Sequence, residues 1–132
     1  MATTHEWFHG TDGGTILKIM SDGSMKGGEK SHQIFFSERF EDAFVHGADT
    51  NLGASFAFKA QVTVVDGASV SRTSKPGNPL TVVVTTTLPL PAKLTELYVR
   101  LGRAGEFEVK AIRGAQAIQA YLNKAIQASK AQ

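Results

Sequence analysis

Between Ala54 and Val64 the apolar side chains Phe56, Phe58, Ala60, Val62 and Val64 fall on alternate positions, with Ser55, Lys59, Gln61 and Thr63 mostly polar between them. A period of two puts one set on one face of a β-strand, and this is the clearest strand in the chain. Gln33-Ile34-Phe35-Phe36-Ser37 is a compact run rich in β-formers and reads as a buried strand. Leu80 to Thr87, dense in valine and threonine, predicts another, broken by Leu88-Pro89-Leu90-Pro91. Glu6 to Gly10 predicts a short first strand. Glu106 to Ile112 predicts a last one, with Phe107, Val109 and Ala111 toward the core and Glu106, Glu108 and Lys110 on the other face.

Helical spacing appears in four places. After Asp12-Gly13-Gly14 the apolar residues Ile16, Leu17, Ile19 and Met20 predict a helix that Asp22-Gly23 ends. Ser37 is placed to cap a second, with Phe40, Ala43 and Phe44 at helical spacing until Gly47. Lys93 to Arg100 predicts a third, short one. Beyond Gly114, the stripe of Ile118, Tyr121, Leu122, Ala125 and Ile126 predicts a docked C-terminal helix. Asp66-Gly67, Ser71 to Pro79, and the segment framed by Gly102 and Gly105 read as turns and loops. With no repeated βαβ spacing, no internal repeat and no linker, the expectation is one α+β domain over residues 1–132.

Composition narrows this little. A chain of 132 residues buries roughly two-thirds of its unfolded surface. No window approaches the roughly 18 apolar residues of a membrane span, so no membrane insertion is expected. Met1 to Trp7 has no basic start followed by an apolar run, so no signal peptide is expected. The absence of cysteine removes disulfides and thiolate chemistry and suits either redox compartment. A net charge of +2, with scattered basic residues, selects no partner.

Two short segments can carry chemistry. Phe8-His9-Gly10-Thr11 ends a strand at a glycine, where the backbone can approach a flat ligand. Gly105-Glu106-Phe107-Glu108-Val109 sets two carboxylates on one strand face, roughly 6 to 7 Å apart. That arrangement suits a solvated face, and equally a site that opposes positive charge developing on a sugar carbon. Phe35, Phe36 and Ser37 could floor a pocket for a planar ring, or simply belong to the core. His5, His9, His32 and His46 lack metal-ligand spacing, so no metal is expected. There is no phosphate loop and no nucleophile elbow.

Taken in order, Phe8-His9-Gly10-Thr11, Ile16-Leu17, Ile34-Phe35-Phe36-Ser37, Ala43 and Glu106 to Val109 resemble the ADP-ribosyltransferases over roughly residues 7 to 112. With histidine in the lead, the chain is closer to the His-Tyr-Glu class of diphtheria-type toxins and poly(ADP-ribose) polymerases than to the Arg-Ser-Glu class of cholera-type toxins. The resemblance implies a compact ADP-ribosyltransferase-like fold, a mostly antiparallel split β-sheet core with short flanking helices. It implies NAD as co-substrate, with His9 on the adenine-side ribose, the backbone of Gly10 on the nicotinamide amide and Thr11 steadying the turn. The stacking tyrosine of the family falls on Phe35 or Phe36, beside Ser37, and a second aromatic wall falls near Phe44 or His46. Phenylalanine keeps the stacking surface and loses the hydroxyl.

The family's glutamate bonds the nicotinamide ribose and stabilises an oxocarbenium-like transition state. Glu106-Phe107 looks like the Glu-Tyr of the histidine class, whereas Glu106-x-Glu108-Val109 looks like the Glu-x-Glu-Val of the arginine class. Glu108 is favoured, with Glu106 as the alternative. The loop from Tyr98 to Gly105, with Arg100 and Arg103, would then touch a protein or nucleic-acid acceptor. The implied protein is a monomeric toxin or effector domain, soluble, secreted or delivered into a target-cell cytoplasm or itself cytoplasmic, with an immunity protein as a further partner. Three other functions compete: an NAD glycohydrolase, a non-catalytic binding module, and an RNA 2'-phosphotransferase. The last is disfavoured because none of Arg39, Arg72, Arg100, Arg103 and Arg113 stands beside His9 in sequence.

Overall fold

The computed structural model describes residues 2–39, 43–44, 47–49, 52–73, 81–101 and 108–130, with only the backbone described at Asp49, Thr73 and Glu108. Among these, nine strands form one antiparallel sheet: β1 (Thr3–Gly10), β2 (Ser24–Met25), β3 (Gln33–Ser37), β4 (Ala48–Asp49), β5 (Ala54–Val64), β6 (Ser69–Thr73), β7 (Thr81–Thr85), β8 (Leu90–Leu101) and β9 (Glu108–Arg113). Two helices accompany them, α1 (Gly13–Asp22) and α2 (Ala115–Lys130). The path across the sheet is β2-β8-β5-β1-β3-β7-β6; β4 adds to β5, and β9 shares the edge of β8. The fold is therefore α+β with an open antiparallel sheet.

The period-two face of β5 builds the core. Phe56, Phe58, Ala60, Val62 and Val64 are buried with Trp7, Phe36, Val82, Val84, Leu97 and Val99, under Ile16 and Ile19 of α1 and Ile118 and Leu122 of α2. Each large apolar side chain buried there contributes about 1.5–3 kcal/mol. Rings line this face of β1: His5 stacks on Trp7 at 4.4 Å, and Trp7 meets Phe36 at 5.1 Å. The opposite face carries a smaller cluster of Ala43, Phe44 and Ala57 against Phe8 and Tyr98.

Local chemistry explains the helix ends. The carboxylate of Asp12 accepts from the Thr15 amide (3.0 Å) and hydroxyl (2.6 Å), capping α1. Gly23, at φ 68°, ends it in the left-handed conformation that glycine adopts without strain. No helix among the described residues is long and apolar enough to cross a membrane.

The structure corrects five expectations. Residues 93 to 100 are strand, inside β8. Leu94 and Leu97 mimic helical spacing because the register slips between Lys59 and Ala60: Lys59 pairs with Glu96 and Ala60 with Leu94, leaving Thr95 as an extra residue. The bulge is held by its own bonds, Thr95 Oγ1 donating to Lys59 O at 3.2 Å and Gly114 N to Thr95 O at 3.0 Å. In β9, Ile112 rather than Val109 or Ala111 packs toward the core, and Val109 is 45% exposed. A seven-residue run, Glu106 to Ile112, with apolar groups on both faces leaves the register to the partner strand, and a shift of one residue turns every side chain over. Ser37 closes β3, paired with Thr81 and Phe8, instead of capping a helix. Gln33 to Ser37 is half buried, since Phe35 is 48% exposed. β6 takes Ser71 to Thr73 out of the expected turn.

Candidate functional site

β1 and β3 are joined by one residue pair, Phe8 with Ser37, and this pair links the β1-β5-β8 half of the sheet to the β3-β7-β6 half. Where a ladder would continue, a side chain takes over: His9 Nδ1–H donates to the carbonyl oxygen of Phe35 at 2.7 Å. A carbonyl only accepts, so Nδ1 carries the proton in this bond. The imidazole is seated by Phe36 at 5.7 Å and Phe58 at 5.5 Å, both on the core face. The Phe35 ring, one residue along β3 from Phe36, belongs to the opposite face.

The two phenylalanines therefore differ. Phe36 is 1% exposed, packed on Trp7, and has no face to offer a ligand. Phe35 keeps an exposed ring beside the junction. Sequence alone could not separate them, because either alternation fits a run with apolar residues at 34, 35 and 36.

Gly10 is a glycine for a different reason from the one its sequence position suggested. A Cβ there would lie 1.8 Å from the carbonyl oxygen of Ala43 and 3.0 Å from the Gly47 amide, so the chain's own backbone occupies the space above it. Approach to Gly10 from the outer face is closed. Gly47 is equally constrained, its Cβ position 1.7 Å from Phe56 O. Thr11 Oγ1 donates to the Asp12 carboxylate at 3.4 Å, next to the α1 cap. Burial of Asp12 raises its pKa, but the bonds from the Thr15 hydroxyl and amide and from Thr11 outweigh this and hold it below the ordinary carboxylate range.

On the outer face, the Arg100 guanidinium lies 5.1 Å over the Phe44 ring, and Phe8 meets Tyr98 at 5.9 Å. The Tyr98 hydroxyl donates to Glu96, whose other carboxylate oxygen is 3.8 Å from Arg113 Nε. Phe58, the Ala43 carbonyl and the Arg100 contact were not expected from sequence. Only Phe58 left a signal there, as a member of the alternating face of β5.

His9, Gly10, Thr11, Phe35 and Ser37 thus gather around one junction. Glu108 does not join them. In the sheet, Gly10 pairs with Ala57, Ala57 with Tyr98 and Tyr98 with Ala111. Glu108 lies three residues before Ala111, so three strand spacings and three residue steps put its Cα roughly 17 Å from that of Gly10. Glu106, Phe107 and His46 lie outside the described residues, as does Arg103. Among the described residues, no three His, Asp or Glu side chains come together in a way that would hold a metal ion. Searches against family models, curated proteins and solved structures found no match.

Proposed function

We propose that the chain binds NAD at the junction of β1 and β3 and transfers its ADP-ribose to a macromolecular acceptor. The observation that carries this reading is the single-pair junction, bridged by the His9–Phe35 hydrogen bond, with the exposed ring of Phe35 beside it. A flat carboxamide ring can stack on the exposed ring of Phe35. His9, whose ring the Phe35 carbonyl orients, is the group that the family pattern sets against the adenine-side ribose. In the reaction the C1'–N bond of the nicotinamide ribose breaks and nicotinamide leaves with the bonding electrons. The acceptor's oxygen or nitrogen then bonds C1' and loses its proton. A glutamate, Glu108 or Glu106, opposes the charge that develops on the sugar, and its loss costs about 10² to 10³ in rate, or roughly 3 to 4 kcal/mol.

A second reading, a module that binds the dinucleotide without transferring it, is favoured by one observation: Glu108 stands roughly 17 Å from Gly10 across the sheet. Incubation with NAD labelled in the adenylate, in a bacterial lysate, beside Glu106→Gln and Glu108→Gln, separates the outcomes. Label on a macromolecule, abolished by one substitution, supports transfer and assigns the glutamate. Nicotinamide release without label transfer means a glycohydrolase, and binding without release means the module.

A further inference from the structure

From Val109 to Gln132 the chain carries Lys110, Arg113, Lys124 and Lys130 and no aspartate or glutamate, while the whole chain nets only +2, so the rest is net negative. With Glu108 at its start, the segment forms β9 and α2, which pack together at one edge of the sheet. Lys110, paired with Val99, sets its ammonium 5.4 Å from the centre of the Tyr121 ring on α2. Lys124 is three residues beyond Tyr121, hence its neighbour on the helix surface, and is exposed. The half-buried tyrosine ring therefore has one ammonium against it and a second lysine about one helical turn along α2. Arg113 is turned toward Glu96 and stands apart from this cluster.

Besides Lys124 and Lys130, α2 exposes Gln116, Gln119, Asn123 and Gln127, which offer donors and acceptors, and the small side chains Ala115, Ala117, Ala120 and Ala128. The large apolar side chains exposed among the described residues are Phe35, Val70, Leu88 and Val109; none is on α2, and Val109 lies on the face of β9 opposite Lys110. Protein partners are held by buried aromatic and aliphatic anchors, at interfaces depleted in lysine. This surface instead sets Lys110 and Lys124 beside one aromatic ring, which suits a phosphate backbone with bases in reach of an aromatic edge.

We infer that the β9–α2 surface binds single-stranded nucleic acid through Lys110, Lys124 and Tyr121. The inference goes beyond the NAD reading and does not rest on it, and its test contains no NAD. Fluorescence anisotropy with labelled oligouridine and oligothymidine, from about 50 to about 200 mM salt, should show saturable binding that weakens with a log–log slope of about −1.4, two phosphate contacts at about 0.7 each. Lys110→Glu with Lys124→Glu should weaken it about tenfold, and Lys124→Glu alone, at an exposed helix position, about threefold. Lys26→Glu with Lys30→Glu, the same charge change in the exposed segment before β3, should leave it within about twofold. Oligouridine and oligothymidine binding alike places the contact on phosphate and base; a preference for oligouridine adds the 2'-hydroxyl. No saturable binding, an equal loss in the Lys26/Lys30 variant, or equal competition by polyglutamate would overturn the inference.

Discussion

His9 Nδ1 and the carbonyl oxygen of Phe35 lie 2.7 Å apart, next to Phe8–Ser37, the one residue pair between β1 and β3. The bond does two things at once. It closes the sheet where backbone pairing stops, and it holds a proton on Nδ1. His9→Ala removes the donor and the ring contacts with Phe36 and Phe58, so urea unfolding should show a loss of about 1 to 2 kcal/mol. An unchanged midpoint would mean that the junction holds without His9.

Gly10→Ala should be much more damaging than its size suggests. The new methyl would meet backbone, the Ala43 carbonyl 1.8 Å away, and backbone cannot turn aside as a side chain does. A loss of about 3 kcal/mol or more is expected in thermal melts. Gly53→Ala is the control: at φ +65° with nothing within 4 Å, it should cost only about 1 kcal/mol of left-handed strain.

The α1 cap gives a pH dependence of defined sign. Asp12 is held below the ordinary carboxylate range, burial raising its pKa and the bonds from Thr15 and Thr11 lowering it further. A depressed folded-state pKa stabilises the fold at pH values above the unfolded carboxylate pKa, and this contribution is lost as pH falls through the folded one. Asp12→Ala should therefore cost about 0.5–2 kcal/mol near neutrality, and the gap to wild type should narrow in acid. A gap independent of pH in denaturation curves would remove the ionised cap from the account.

Phe35 and Phe36 should separate binding from stability. Phe36→Ala empties a buried site and should cost about 3–5 kcal/mol. Phe35→Ala removes a half-exposed ring and should change stability by less than about 1 kcal/mol, while weakening NAD about tenfold if the nicotinamide stacks there. Calorimetric unfolding and NAD titration of both variants check the pair.

Much of the fold is legible in the sequence where one face dominates. The alternation of β5, the Asp12 and Gly23 ends of α1, and the Ile118–Leu122 stripe of α2 each declare a period and a direction. The sequence misleads where tertiary pairing sets the phase. The extra residue Thr95 switches the parity of β8 between Leu94 and Leu97, and two apolar residues three apart then look helical. In β9 the partner strand, not the alternation from Glu106 to Ile112, chose the face. At the site, His9, Gly10 and Phe35 are visible as a motif, but only the fold shows that Gly10 is closed by Ala43 and that Phe36 is core. These are long-range contacts, with no local signature.

Titration of the isotope-labelled protein with NAD, followed by amide chemical shifts, tests the central claim most directly. Binding at the β1–β3 junction predicts saturable shifts at Gly10, Thr11, Phe35 and Ser37, weakened in Phe35→Ala, with α2 unmoved. Shifts confined elsewhere, or none at millimolar NAD, would contradict an NAD site at this junction.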